Sequence, residues 1–234
     1  MKAIYLREVR ACFTNMTGCV FIAVVTFFIG IYFMANNLYY GYPQFSYALL
    51  NGIVVFLVAV PILTMRSMAE ERRARTDQLL LSAPVSLTGV VLGKYFSMLT
   101  VLAIPMGLFC LCPLIIAANG TGQLASDYAS ILAFFLMGCV FAAVGMFLSS
   151  LTESQVIAAV STFAALLALY LWDDLMDFLP DALAGLLSRF SFSSVLYNFA
   201  YYSVFDVGGV VLYLSLSGLF VLLTVQALQK RRWG

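Results

Sequence analysis

The chain has 234 residues, 63% of them hydrophobic and only 10% charged, with a formal net charge of +1 and a mean hydropathy of +1.01. A soluble domain carries about 25% charged residues, and one core of this size cannot hide so much apolar surface. Composition therefore excludes a soluble globular protein and leaves an all-α polytopic membrane protein, treated as one transmembrane domain over residues 1–234.

Residues 2–13 read KAIYLREVRACF. Tyr5, Val9, Cys12 and Phe13 fall on one helical face, with Arg7, Arg10 and Thr14 on another. That pattern predicts a short helix lying in the cytoplasmic interface. The first apolar run is too long for the core of a cleavable signal peptide, so none is expected. Hydropathy over a window of about 19 residues predicts six spans, at about 17–34, 47–65, 93–118, 128–148, 156–172 and 208–228. The fifth is the shortest. Pro61 and Pro105 fall inside spans and should kink them, with neighbouring helices satisfying the freed carbonyls.

The connections alternate in character. Residues 36–46 are short, uncharged and aromatic, as in an outer interfacial belt. Residues 119–127, NGTGQLASD, form a second short outer loop. Residues 173–206 are too long for a simple connection, and their acids and Pro180 prevent them from spanning. Amphipathic helices dipping into the outer leaflet suit them better. There Asp173, Asp174, Asp177 and Asp181 lie near one helical face. They could gather cations or cationic substrate, or simply form a solvated outer face.

Basic residues set the orientation. Lys2, Arg7 and Arg10 precede the first span; Arg66, Arg72, Arg73, Arg75 and Lys94 lie between the second and third; Lys230, Arg231 and Arg232 follow the sixth. With six spans all of these share one side, and only Arg189 falls on the other. Both termini are then cytoplasmic, in a cell inner or cytoplasmic membrane.

Several chemistries are missing from the sequence. The spans hold almost no ionisable groups, Asp127 and Glu153 sitting at span edges, which argues against an ion-coupled carrier. No H-E-x-x-H motif or paired intramembrane aspartates suggest a hydrolase. GVVLGKY, from Gly89 to Tyr95, imitates a phosphate loop, but it has three residues between its glycines and Tyr95 after Lys94. A Walker A loop needs four, followed by Ser or Thr. Lys94 is better taken as an anchor at the cytoplasmic interface. The five cysteines, Cys12, Cys19, Cys110, Cys112 and Cys139, lie in or beside apolar runs and are expected to serve as small packing residues. No enzyme activity, bound cofactor, metal or nucleic-acid partner is expected, and any work against a gradient must come from another subunit.

Charge concentrates in residues 68–86, MAEERRARTDQLLLSAPVS. Met65, Met68, Ala69, Thr76, Leu79, Leu80 and Ala83 follow helical spacing on one side, Glu71 and Arg75 form an i, i+4 pair, and Pro84 stops the helix. Spacing alone leaves two readings level: a cytoplasmic helix hung between two spans, over about residues 66–83, or a solvated topogenic loop.

Together with the VLGKYF that follows, this run resembles the segment after the second span in type-2 ABC exporter permeases. The nearest subgroup is the gliding-motility-associated permease and its relative in nitrous-oxide-reductase copper-site maturation. The N-terminal KAIYLREVRACFTNMTGCVFIAV and the C-terminal FDVGGVVLYLSLSGLFVLLTVQALQKRRW resemble the same subgroup. Arg75 stands where the family usually has Gly, and Gln78 where it usually has Glu. The resemblance implies a coupling helix that docks in a cleft of a separate ATPase subunit, which carries ATP and magnesium. Ala69, Glu70, Glu71, Thr76, Leu79 and Pro84 match the motif, and Arg72 and Arg73 lie within it. It also implies that residues 2–13 are the family's connecting helix, that residues 173–206 hold its re-entrant helices, and that a second permease copy completes the path, as homodimer or heterodimer. The function implied is the permease subunit of an ATP-driven exporter. The alternative is a non-transporting scaffold linking the ATPase to an extracytoplasmic auxiliary protein.

Overall fold

The computed structural model describes residues 2–73, 86–118, 123–172, 195–198 and 206–233, excepting the side chains of 231–233. Every element among them is helical. α1 (Lys2–Thr14) leads into α2 (Thr17–Phe33), which continues as a wider π-helical turn, Met34–Tyr39. α3 (Ser46–Thr64) is followed by the short α4 (Arg66–Arg73). Then come α5 (Leu87–Phe109), α6 (Leu111–Ala118), α7 (Leu124–Leu151), α8 (Gln155–Tyr170) and α9 (Val207–Trp233).

Among the described residues, five runs are long and apolar enough to cross a membrane: Thr17–Tyr39, Ser46–Arg73, Leu87–Ala118, Leu124–Leu151 and Val207–Lys230. They correspond to the predicted first, second, third, fourth and sixth spans. The predicted fifth is α8, whose 16 residues fall short of that length. It nevertheless lies along the bundle, burying Ala158, Thr162 and Leu166 at successive i+4 positions against α7 and α3.

The core is built around α7, which packs on α9, α3, α8, α5 and α4. Phe134, Phe141 and Met137 of α7 meet Phe56 of α3 and Leu102 of α5 in one buried cluster, and the Phe56 and Phe134 rings stand 4.4 Å apart. Small residues permit this closeness. A Cβ on Gly138 would lie 2.7 Å from Leu102, and one on Gly145 would strike the Thr64 side chain. Close small-residue crossings are the usual way helices associate where lipid removes the hydrophobic drive between them.

Side chains from distant segments finish several helix ends. Asn37 donates to the carbonyls of Tyr42 and Gln44 at 2.9 and 2.8 Å, folding back the aromatic loop between α2 and α3. Asp127, at the start of α7, accepts from the Phe45 N–H at 2.9 Å and so caps α3 from another helix. Asp206 caps α9 locally, accepting from the Gly209 N–H at 3.1 Å, as short acids at the N-cap do. Asn198 Nδ2 donates to the other oxygen of Asp206 at 3.3 Å. Val195 and Leu196 are buried, and Val195 lies against Gly209 in the first turn of α9.

α1 runs along α5 and touches α2. Its packed face includes Ile4, against Gly93, and Tyr5, whose hydroxyl shares a 2.9 Å hydrogen bond with Thr100. Cys12 packs partly against the core, where burial pushes its thiol up. Phe13 instead faces outward at 38% exposure, a difference from the predicted apolar face. The chain turns from α1 into α2 at Met16, which has φ of 57° in the left-handed region.

Candidate functional site

The charged stretch after α3 is the candidate site. α3 does not run straight into it. Thr64 donates its hydroxyl to the Val60 carbonyl at 3.0 Å, the helix breaks at Met65, and α4 restarts at Arg66. A new helix start leaves N–H groups without intrahelical acceptors. Ser149, fully buried near the end of α7, supplies one. Its hydroxyl oxygen accepts from the N–H groups of Met68 and Ala69 at 3.2 and 3.1 Å and donates to the Met65 carbonyl at 3.1 Å. One side chain thus bridges the break. Sequence reasoning missed it, and only the polar SSLTES ending of an apolar span could have pointed to it.

α4 has two unlike faces. Met68 and Ala69 are buried, and Glu71 and Arg72 point to the same side into ion pairs. Glu71 Oε1 lies 2.9 Å from Arg7 Nη2 of α1 and 2.9 Å from Lys94 Nζ of α5. Glu8 completes the cluster, 2.6 Å from Arg7 and 3.6 Å from Lys94. Its hydrogen bond to Arg7 is the chief cause raising the Arg7 pKa. On the other flank Arg72 pairs with Glu153 at 3.1 Å and donates to the Leu151 carbonyl at 2.7 Å. α4 is therefore tied to α1 and α5 through Glu71, and to the α7–α8 connection through Arg72.

Arg73 lies on the opposite face, and Glu70 beside it borders a small cavity shared with α1 and α5. Both are exposed, three residues apart and so neighbours on a helix surface. Neither forms an ion pair with another described residue.

Lys94 departs from the anchor expected of it. Its side chain is only 2% exposed, and its ammonium donates to the Ser67 carbonyl at 2.7 Å between Glu71 and Glu8. It faces the protein rather than lipid headgroups. The continuous helix of α5 around it gives the GVVLGKY segment no loop form. Arg10 lies on the exposed side of α1 and has no ion pair among the described residues, so of the two arginines singled out on α1 only Arg7 meets α4. Thr76, Leu79 and Pro84, with Arg75, lie outside the described residues, as do Asp173, Asp174, Asp177 and Asp181.

Beneath α4, Glu8, Arg66, Ser67, Glu70 and Ser97 surround a small polar cavity of about 60 Å³, room for a few water molecules. The arrangement is a short charged helix ion-paired to its neighbours on one face and exposed on the other.

Residues 6–208 match a family model described as ABC-2 family transporter protein. No curated protein matches the chain.

Proposed function

The chain belongs to the ABC-2 family of transporter proteins, and we propose that it is a permease subunit that takes its work from a separate ATPase docked on α4. The observation that carries this reading is the two-sided construction of α4: Glu71 and Arg72 hold the helix to three neighbours, while Glu70, at the rim of the small cavity, and Arg73 are exposed. A helix that transmits force needs a stiff mount and an open docking face, and these four consecutive residues divide that work.

In this reading α4 and the residues after it form the coupling helix. The six passes place α1, α4 and the end of α9 on the cytoplasmic side, and a second permease copy completes the path. Nucleotide binding in the ATPase pushes α4. The push reaches α1 and α5 through the Arg7–Glu8–Glu71–Lys94 cluster, and α7 and α8 through Arg72 and Ser149. Export is the direction the resemblance supports.

The test separates mount from docking face. The chain is co-expressed with its ATPase, and complex yield and thermal stability in detergent are measured. The double variant Glu70→Ala with Arg73→Ala should lose the ATPase while unfolding at an unchanged temperature. Glu71→Ala should lower the unfolding temperature of the chain alone. A Glu70→Ala, Arg73→Ala chain that keeps full complex yield and full ATPase rate contradicts docking on this face.

A further inference from the structure

A lateral groove of about 680 Å³ opens between α1, α5 and α7, away from the candidate site. Gly93, Phe96, Thr100 and Ala103 of α5 line it at one-turn spacing, and ten residues of helix rise about 15 Å. That is half of a hydrocarbon core roughly 30 Å thick, and Ala103 lies near the middle of the Leu87–Ala118 run. The groove thus spans the depth of one leaflet. Beyond Ala103 and Phe135, which line both, a second hollow of about 340 Å³ continues to Cys110 and Tyr128.

The first groove is polar only near α1. Phe96, Leu99, Ala103 and Phe135 make its walls apolar. The hydroxyls of Tyr5 and Thr100 bond to each other, so they demand little of an occupant. At the α1 end stands Lys2, exposed and in no ion pair among the described residues. A hydrocarbon channel one leaflet deep, with a cation at its mouth, has the polarity profile of a phospholipid.

We propose that this groove binds an anionic phospholipid of the cytoplasmic leaflet, with one acyl chain between α5 and α7 and the phosphate on Lys2. Basic sites between spans on the cytoplasmic side are suited to anionic headgroups. The lipid would lie against Tyr5 and Gly93, where α1 seats on α5, so its presence would steady the helix that carries Arg7 and Glu8. The proposal uses only the cytoplasmic placement of α1, and its test reads bound lipid, whether or not α4 docks an ATPase.

The chain is purified in mild detergent, incubated with an equal mixture of phosphatidylglycerol and phosphatidylcholine of identical acyl chains, and examined by native mass spectrometry. The expected result is preferential retention of phosphatidylglycerol. Lys2→Glu should cut that preference by about fivefold or more, Lys2→Arg should keep it, and Ala103→Trp should displace bound lipid of both kinds at an unchanged unfolding temperature. A photoreactive residue at position 99 should crosslink to lipid. Equal retention of both lipids, a preference unmoved by Lys2→Glu, or crosslinking at position 99 chiefly to another protein chain would overturn the proposal.

Discussion

Lys94 occupies the costliest position among the described charges. Its ammonium is buried at the end of an apolar helix and compensated by Glu71 and Glu8. Removing Lys94 leaves two carboxylates sharing Arg7 alone, and breaking a buried pair by removing one partner costs about 3–5 kcal/mol. Lys94→Met should therefore lower stability by about 3 kcal/mol, measured as thermal unfolding in detergent. Adding Glu71→Gln to Lys94→Met should recover part of that loss, because the cluster regains charge balance. A double variant that loses the sum of both single losses would show the two groups to be independent. Lys94 was legible as a cytoplasmic cation from its place at a span edge, but its burial was not. Its partners stand 86 residues before it on α1 and 23 before it on α4, and hydropathy carries no information on which distant carboxylates converge. The Glu71–Arg7 contact spans 64 residues; helical spacing offers Glu71 only the local Arg75, whereas Arg7 and Arg10 were plausible partners because they lie on a helix expected in the same interface, and the structure pairs Glu71 with Arg7 alone of the two.

At the scale of elements, the break at Met65 matters most. Periodicity left a charged helix over about residues 66–83 level with a solvated loop, and the described part, Arg66–Arg73, is helical. What periodicity could not supply was Ser149 from α7, which satisfies the start of that helix. Ser149→Ala would orphan the Met68 and Ala69 N–H groups, at about 1–3 kcal/mol. Hydrogen exchange in α4 should rise while exchange in the middle of α7 stays unchanged. Exchange that rises equally in both would mean that Ser149 serves global packing rather than α4. The junction of α1 and α2 offers a gain instead. Met16 holds a left-handed conformation, which costs a non-glycine residue roughly 1–2 kcal/mol, and its side chain is 70% exposed. Met16→Gly should raise the unfolding temperature and Met16→Val should lower it, the branched side chain tolerating that conformation worst.

For the whole molecule, the spans were the most legible feature because their signal is compositional. Five apolar runs coincide with predicted spans. The fifth predicted span was the shortest in the sequence, and its helix, α8, has 16 residues, about 24 Å at the usual helical rise. Parity decides its role in the proposed topology. Five crossings would put the basic end of α9 on the side opposite α1, against the bias that orients membrane helices. With α8 crossing, both ends face the cytoplasm. A cysteine at Gln229, in a chain otherwise free of cysteine, should react with impermeant reagent only after the cytoplasmic face is opened; labelling from the outside of intact cells would remove α8 from the count of spans.

The division of α4 into mount and docking face can be read at a single position. A photoreactive amino acid is placed at Arg73 in the full chain, cells are irradiated, and the adduct is identified by mass spectrometry. The proposed coupling role predicts one dominant adduct with a cytoplasmic ATPase subunit, lost when the photoreactive residue is moved to the buried position of Ala69. Adducts only with lipid, or the same adduct from both positions, would contradict it.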